Sequence, residues 1–224
     1  MTRCRIHMFA FATFLQVLCY AVPASAEVKL ATVFSDHMVL QRDAKLPVWG
    51  WAADGEKVTV KIAGQSHEAT ATAGRWKVHL TPLSAGGPHQ LTISGTNTVT
   101  VKDILVGEVW LCSGQSNMAM AVSRCKNFEQ EKKAAAHPKI RMFTVTKNAT
   151  HVHQEDCQGS WQICAPETVG TFSGTAYFFG RKLHEELKVP VGLINSSWGG
   201  TDVAAWTSLK AQSAVPAIVP KLEA

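Results

Sequence analysis

Ile104-Leu105-Val106-Gly107-Glu108-Val109-Trp110-Leu111-Cys112-Ser113-Gly114-Gln115-Ser116-Asn117-Met118 is the stretch whose reading decides the fold. Ile104–Leu111 is mostly apolar and β-branched, the pattern of a buried strand. Gly114 then marks a tight turn, and a helix start is expected over Asn117–Val122. A serine on such a turn can expose its hydroxyl at the carboxyl end of a strand, where backbone N–H groups can meet an oxyanion. The nucleophile elbow of ordinary α/β-hydrolases is G-x-S-x-G. Here the pattern is Gly114-x-Ser116-x-Met118, so the second glycine is missing and that family is disfavoured. From the residues alone, Ser116 is either a nucleophile or a serine capping a helix N-terminus.

Downstream of that stretch the signals alternate between strand and helix. Ile140–Val145, introduced by Pro138, reads as a second strand, and Val191–Asn195 as a third. Between them, Ser173–Lys188 carries Phe172, Ala176, Phe179, Leu183 and Leu187 at helical spacing, which predicts one packed stripe. Pro190 stops that helix. Strands alternating with helices predict a parallel, wrapped sheet. After the third strand, Asn195-Ser196-Ser197-Trp198-Gly199-Gly200-Thr201 puts two glycines at a carboxyl end. Such a pair either lets backbone approach a ligand closely or makes a tight connection.

Upstream, from Glu27 to Val101, every signal is β. Leu46–Trp51, Lys57–Ile62, Trp76–Leu80 and Gln90–Ile93 are short runs rich in Val, Ile, Thr and Trp. Glycine-marked turns such as Ala53-Asp54-Gly55, Ala63-Gly64-Gln65 and Ala73-Gly74-Arg75 separate them, the pattern of a small β-sandwich. Three regions follow: a signal segment over 1–26, a sandwich-like domain over 27–103, and an α/β domain over 104–224. The last has about 120 residues and few strands. It is therefore expected to be an incomplete version of a three-layer fold. Ser208–Ala224 adds only a weakly amphipathic run interrupted by Pro216 and Pro220.

Met1–Ala26 has Arg3 and Arg5, an apolar stretch over Met8–Val22, and Ala24-Ser25-Ala26 as a small-x-small cleavage site. It reads as a secretory signal, giving a secreted or periplasmic protein. Cys19 follows Leu18, where a lipidation signal would want a small residue. The whole chain has 22 basic and 17 acidic residues, a formal charge of +5, and losing Arg3 and Arg5 lowers this to +3. That excess is too small and scattered to indicate nucleic acid as a partner. No run approaches the about 20 apolar residues of a spanning helix, so no membrane partner is expected once the signal is gone. With 46% hydrophobic and 17% charged residues, the composition is that of a folded core.

Four cysteines, Cys112, Cys125, Cys157 and Cys164, lie outside the signal and allow three full pairings. Cys157 and Cys164 flank Gly159-Ser160 and suit a local bridge, with free thiols as the alternative. His151-Val152-His153 lies nearby, but no spacing matches a four-ligand zinc pattern. No metal site is expected. Asn148-Ala149-Thr150 and Asn195-Ser196-Ser197 fit the glycosylation tripeptide, the second by chance because it falls in the supposed site.

Taken in order, several segments resemble the sialate O-acetylesterase family of SGNH-type esterases. They are Val33-Phe34-Ser35-Asp36-His37-Met38-Val39-Leu40-Gln41-Arg42, Val48-Trp49-Gly50, Gly107–Met118, Ser173–Gly180, Val189–Thr201 and Ala205-Trp206. The resemblance implies an α/β esterase domain behind a β-rich region, acting on acetyl esters of sialic acids. It implies Ser116 as the nucleophile, with its own N–H and that of Gly199 or Gly200, preferably Gly199, in the oxyanion hole. Gln115, Asn117 and Trp198 become candidate substrate contacts. Trp198 and Trp206 have flat faces suited to a sugar, although buried packing is the expected role of each. This chemistry requires no metal or organic cofactor.

The resemblance also implies an Asn-bearing oxyanion segment and a late segment with a catalytic histidine and its acid, and nothing after Trp206 looks like them. The remaining histidines read as structural or surface residues: His37 in the N-terminal motif, His67, His79 and His89 in the sandwich, and His137 in a turn. His151 and His153 lie in a hydrophilic stretch, and His184 on the polar face of a helix. The expected function is a sialate O-acetylesterase-like serine esterase whose chain lacks its own base. The alternatives are an acetylesterase for other acetylated polysaccharides or an inactive glycan-binding fragment. The partner in each case is O-acetylated sialic acid or another acetylated glycan.

Overall fold

The computed structural model describes residues 27–150, 152–217 and 220; the signal segment and His151 lie outside the described residues. The strands are β1 (Lys29–Leu30), β2 (Val39–Gln41), β3 (Leu46–Trp51), β4 (Lys57–Ile62), β5 (Gln65–Thr70), β6 (Arg75–Leu80), β7 (Gly86–Ser94), β8 (Thr98–Gly114), β9 (His137–Val145), β10 (Gly159–Cys164) and β11 (Val191–Ser197). The helices are α1 (Ser116–Ala119), α2 (Phe128–Ala134), α3 (Gly174–Leu187) and α4 (Leu209–Ser213).

Two sheets result: a three-stranded one in the order β1-β3-β6, and a long one in the order β10-β9-β11-β8-β7-β4-β5, with β2 paired to β8. Alternation sets the faces of the first half. In β4, Val58, Val60 and Ile62 are buried while Lys57 and Lys61 are exposed. Their apolar face meets Val48, Trp76, Val78 and Leu80 of the smaller sheet in one core.

Strand β8 runs through the expected domain boundary. Thr98–Val101 pair antiparallel with β7, Leu105–Gly107 pair parallel with β2, and Glu108–Gly114 pair parallel with β11. Asp103 sits at the change-over with φ of 54°. Its carboxylate accepts from Arg141 Nη1 at 2.6 Å and meets His37 Nδ1 at 2.7 Å. Arg141 is buried and also donates to Pro138 O. The hydrogen bond from Arg141 chiefly, then the bond to His37, hold the Asp103 carboxyl below its usual range against the opposing effect of burial. Arg42 Nε meets Glu108 Oε1 at 2.8 Å five residues further on. The charged residues of the Val33–Arg42 motif thus fasten its chain to β8.

The second half is mixed rather than all parallel. β11 runs parallel to both β8 and β9, while β10 pairs antiparallel with β9. Ile140 and Met142 of β9 and Val191 and Leu193 of β11 face α3 in a second core with Tyr177. Phe143 and Ile194 face the other way, into the first core with Trp161 and Phe34. One face of this sheet therefore carries helices, and the other rests on the N-terminal β region.

Helix α3 lies close to its sheet, which changes its predicted stripe. Gly174, Ala176, Tyr177 and Gly180 are buried, whereas Phe179 and Leu187 are 40% and 44% exposed. A Cβ on Gly180 would come within 2.5 Å of Leu193 Cδ1. Only small residues fit at so tight a contact, so the large Phe179 turns outward and meets Trp110 edge-on at 5.1 Å. The Tyr177 hydroxyl donates to Glu131 Oε1 at 2.6 Å, and Arg181 joins the same oxygen. His137 opens β9 instead of a turn, beside the Tyr177 ring.

The four described thiols are free. Cys157 packs against the first core and Cys164 lies in the second, on opposite sides of the sheet, which rules out the local bridge. Burial pushes the Cys164 thiol up to about 12. Among the described residues, no helix is long and apolar enough to cross a membrane.

Candidate active site

Three parallel strands, β8, β11 and β9, end at one level. Gly114 pairs with Ser197, and Asn195 pairs with Thr144. The segments that follow these strands, beginning at Gln115, Thr146 and Trp198, gather at the carboxyl edge of the sheet. That is where open α/β sheets bind ligands.

Ser116 opens α1, and Gln115 occupies the cap position without a side-chain cap bond. The hydroxyl is therefore not spent on capping. It is exposed, and Ser116 Oγ donates to Gln115 Oε1 at 3.2 Å. The turn is fixed from outside: Gly174 N donates to Met120 O at 2.8 Å, and Thr175 Oγ1 donates to Asn117 O at 2.9 Å. Ser173 caps α3 by accepting from Ala176 N. Asn117 is held by its backbone, and the residue is exposed.

The segment after β11 reaches the same place. Trp198 N donates to Gly114 O at 2.9 Å, carrying the ladder one residue past Ser197. Thr201 Oγ1 donates to Trp198 O at 2.8 Å, and Trp206 Nε1 donates to Thr201 Oγ1 at 2.7 Å, closing the turn. A Cβ on Gly199 would stand 3.6 Å from Ser116 Oγ and 3.7 Å from Ser116 Cα. A Cβ there would sit in ordinary van der Waals contact with the serine, and glycine leaves that side of the hydroxyl open. Gly200 takes φ of 83° in the turn, and a Cβ there would meet no atom within 4 Å. Of the two glycines, Gly199 is the one against the serine.

On the other side of Trp198 lies a cleft of about 740 Å³. Its walls include Thr146, Lys147, Asn148, Ser196, Trp198 and Trp206. Trp198 is exposed and Trp206 half-buried, so neither plays the fully buried role expected from its size. Lys147 Nζ stands 5.6 Å from the centre of the Trp198 ring. Asn195, by contrast, is buried, and its Oδ1 accepts from Ser197 Oγ at 2.7 Å. It belongs to the strand's internal bonding, and the glycosylation tripeptide there is inaccessible.

Three of the described histidines have polar partners away from Ser116. His37 pairs with Asp103, His67 with Gln65, and His184 Nδ1 with Val189 O. His79 and His89 belong to β6 and β7. Lys147 and its cleft were missed by motif reading. The available signal was the position of Lys147 directly beyond a parallel strand.

The sequence model of the family described as carbohydrate esterase, sialic acid-specific acetylesterase matches residues 106–222, the part that builds this edge. The chain belongs to this family. It is 35% identical to the sialate O-acetylesterases of Rattus norvegicus and Homo sapiens, over 83% and 80% of its own length. These matches take in 38% and 39% of those proteins, so the chain spans about two fifths of the curated relatives it matches. A carbohydrate acetylesterase from Xanthomonas citri superimposes with a TM-score of 0.80 at 35% identity, over 82% of this chain and 43% of that one. The chain's own fold is mixed α/β, with Ser116 and Gly199 just beyond the carboxyl ends of β8 and β11.

Proposed function

We propose that this acetylesterase-family chain carries the nucleophile side of a sialate O-acetylesterase site. The observation that carries the reading is the placement of Gly199 beside the exposed Ser116 hydroxyl, where a Cβ on the glycine would stand 3.6 Å from Oγ, at the ends of two paired parallel strands. Ser116 Oγ attacks the acetyl carbonyl, the N–H groups of Ser116 and Gly199 receive the developing oxyanion, and the sugar leaves as its alcohol. Water then releases acetate from the acetyl-enzyme. Gln115 and Asn117 flank the nucleophile, and Trp198 lends a face to the sugar. Removal of the Ser116 proton needs a base, a role that Gln115 Oε1, the described partner of the hydroxyl, cannot fill.

In this reading residues 27–103 form a sandwich-like unit and 104–224 an SGNH-type unit, sharing β8. Export follows from the segment over 1–26. The substrate class is tested by acetate release from 9-O-acetylated sialic acid and from acetylated xylan. The comparison is best made at alkaline pH, where more of the serine is ionised. The expected result is a rate on the sialic ester about tenfold or more above that on xylan. Equal rates, or a preference for xylan, would move the assignment to acetylated polysaccharides.

A further inference from the structure

We propose that Lys147 is a carboxylate-recognising residue, so that the cleft beside Trp198 selects acetylated sugars bearing a carboxylate over neutral ones. The inference rests on the reading of Ser116 only for which end of the sugar carries the ester.

Register supplies the geometry. Thr144 pairs with Asn195, and Ser197 pairs with Gly114, so the ends of β9 and β8 flank β11 at one level. Two inter-strand spacings separate them, about 10 Å, the reach of a single sugar with its side chain. Lys147 stands two residues beyond β9 and Ser116 two residues beyond β8, with Trp198 just past the central strand.

The charge balance of the cleft supplies the chemistry. Lys147 is the cation among its described lining residues, and Asp156 the acid. Asp156 is already engaged: its carboxylate accepts from Thr32 N at 3.0 Å, Thr32 Oγ1 at 2.8 Å and Cys157 N at 2.9 Å. Among the described residues, Lys147 forms no ion pair, and its ammonium lies over the Trp198 ring. An aromatic face holds an ammonium in place without neutralising it. The remaining walls are uncharged, and Thr146, Asn148 and Ser196 among them offer hydrogen bonds. A bound carboxylate would gain a charge-assisted bond that a neutral sugar does not.

The test titrates the chain by NMR with the methyl glycoside of N-acetylneuraminic acid and with the C1 methyl ester of that glycoside. Neither carries an acetate ester, so the identity of the nucleophile does not enter and this result stands apart from the esterase reading. The expected outcome is about tenfold tighter binding of the acid, falling to near parity in Lys147→Gln and retained within about threefold in Lys147→Arg. Lys147 is exposed, so the variants should melt with the parent chain. Equal binding of the two ligands by the parent, a preference that survives in Lys147→Gln, or no binding of either ligand would overturn the proposal.

Discussion

Acetate release from 9-O-acetylated sialic acid by this chain is expected to run about four to six orders of magnitude below that of a complete serine triad. A serine hydroxyl is almost wholly protonated near neutrality, and Ser116 Oγ has Gln115 Oε1, an amide acceptor, as its partner. An amide oxygen orients the hydroxyl but cannot take its proton. What turnover remains should depend on the small alkoxide fraction, climb about tenfold per pH unit from mildly acidic to mildly alkaline solution, and vanish in Ser116→Ala. A stopped pH-rate series on both proteins reads all three features. A plateau with a midpoint near the histidine range would contradict the account, because it would show a histidine serving Ser116 directly.

Gly107→Ala is expected to be among the most damaging small substitutions in the fold. A Cβ at Gly107 would lie 1.9 Å from Pro190 O and 2.6 Å from the Pro190 carbonyl carbon. Both obstacles are backbone, and Pro190 O already accepts from Glu108 N at 2.9 Å. Neither strand can yield without breaking the start of the β8–β11 ladder. Overpacking against fixed backbone belongs at the upper end of its range, about 3 kcal/mol or more. That is a fall of about 6 to 12 °C in Tm for a chain of this size. Lys61→Ala, on the exposed face of β4, should shift Tm by about 2 °C or less. A Gly107→Ala protein melting with its parent would show that β8 and β11 are not locked there. The same joint sets the register that brings Gly199 to Ser116, so the variant should also lose whatever esterase activity the parent has.

The sequence disclosed some parts of this molecule more readily than others, and the difference is physical. Lys57–Ile62 alternates polar and apolar residues, and its burial follows that alternation residue by residue. The ends of α3 were legible from Ser173 and Pro190, because caps and prolines act locally. The face that α3 buries was not. Its contact is made through Gly180, a residue with no hydrophobic signal, while Phe179 beside it carries a strong one. The union of both halves along β8 was hidden for a similar reason. Asp103 looks like the end of a strand, yet Arg141 and His37, distant in sequence, hold it inside one.

At the site, the Ser116 turn and the Gly199-Gly200 turn were each visible as glycine-bearing ends of strands. Their meeting depends on the parallel pairing of β8 with β11, a long-range event no local pattern encodes. Lys147 left no motif at all. It gains meaning only when β9 is placed beside β11, which brings Trp198 under its ammonium.

Acyl trapping tests whether Ser116 is the nucleophile that accepts the acetyl group. With p-nitrophenyl acetate the leaving phenolate needs no proton, so acylation needs no general acid and runs on the alkoxide fraction of Ser116, whereas the serine acetate ester, with no base to activate water, is hydrolysed slowly. The acetyl-enzyme should therefore accumulate. Peptide mass spectrometry after a prolonged exposure at mildly alkaline pH is expected to find one acetyl group on the Ser116 peptide of the parent, and none there in Ser116→Ala. Acetyl confined to lysines, or an unchanged adduct in the alanine variant, would contradict the account.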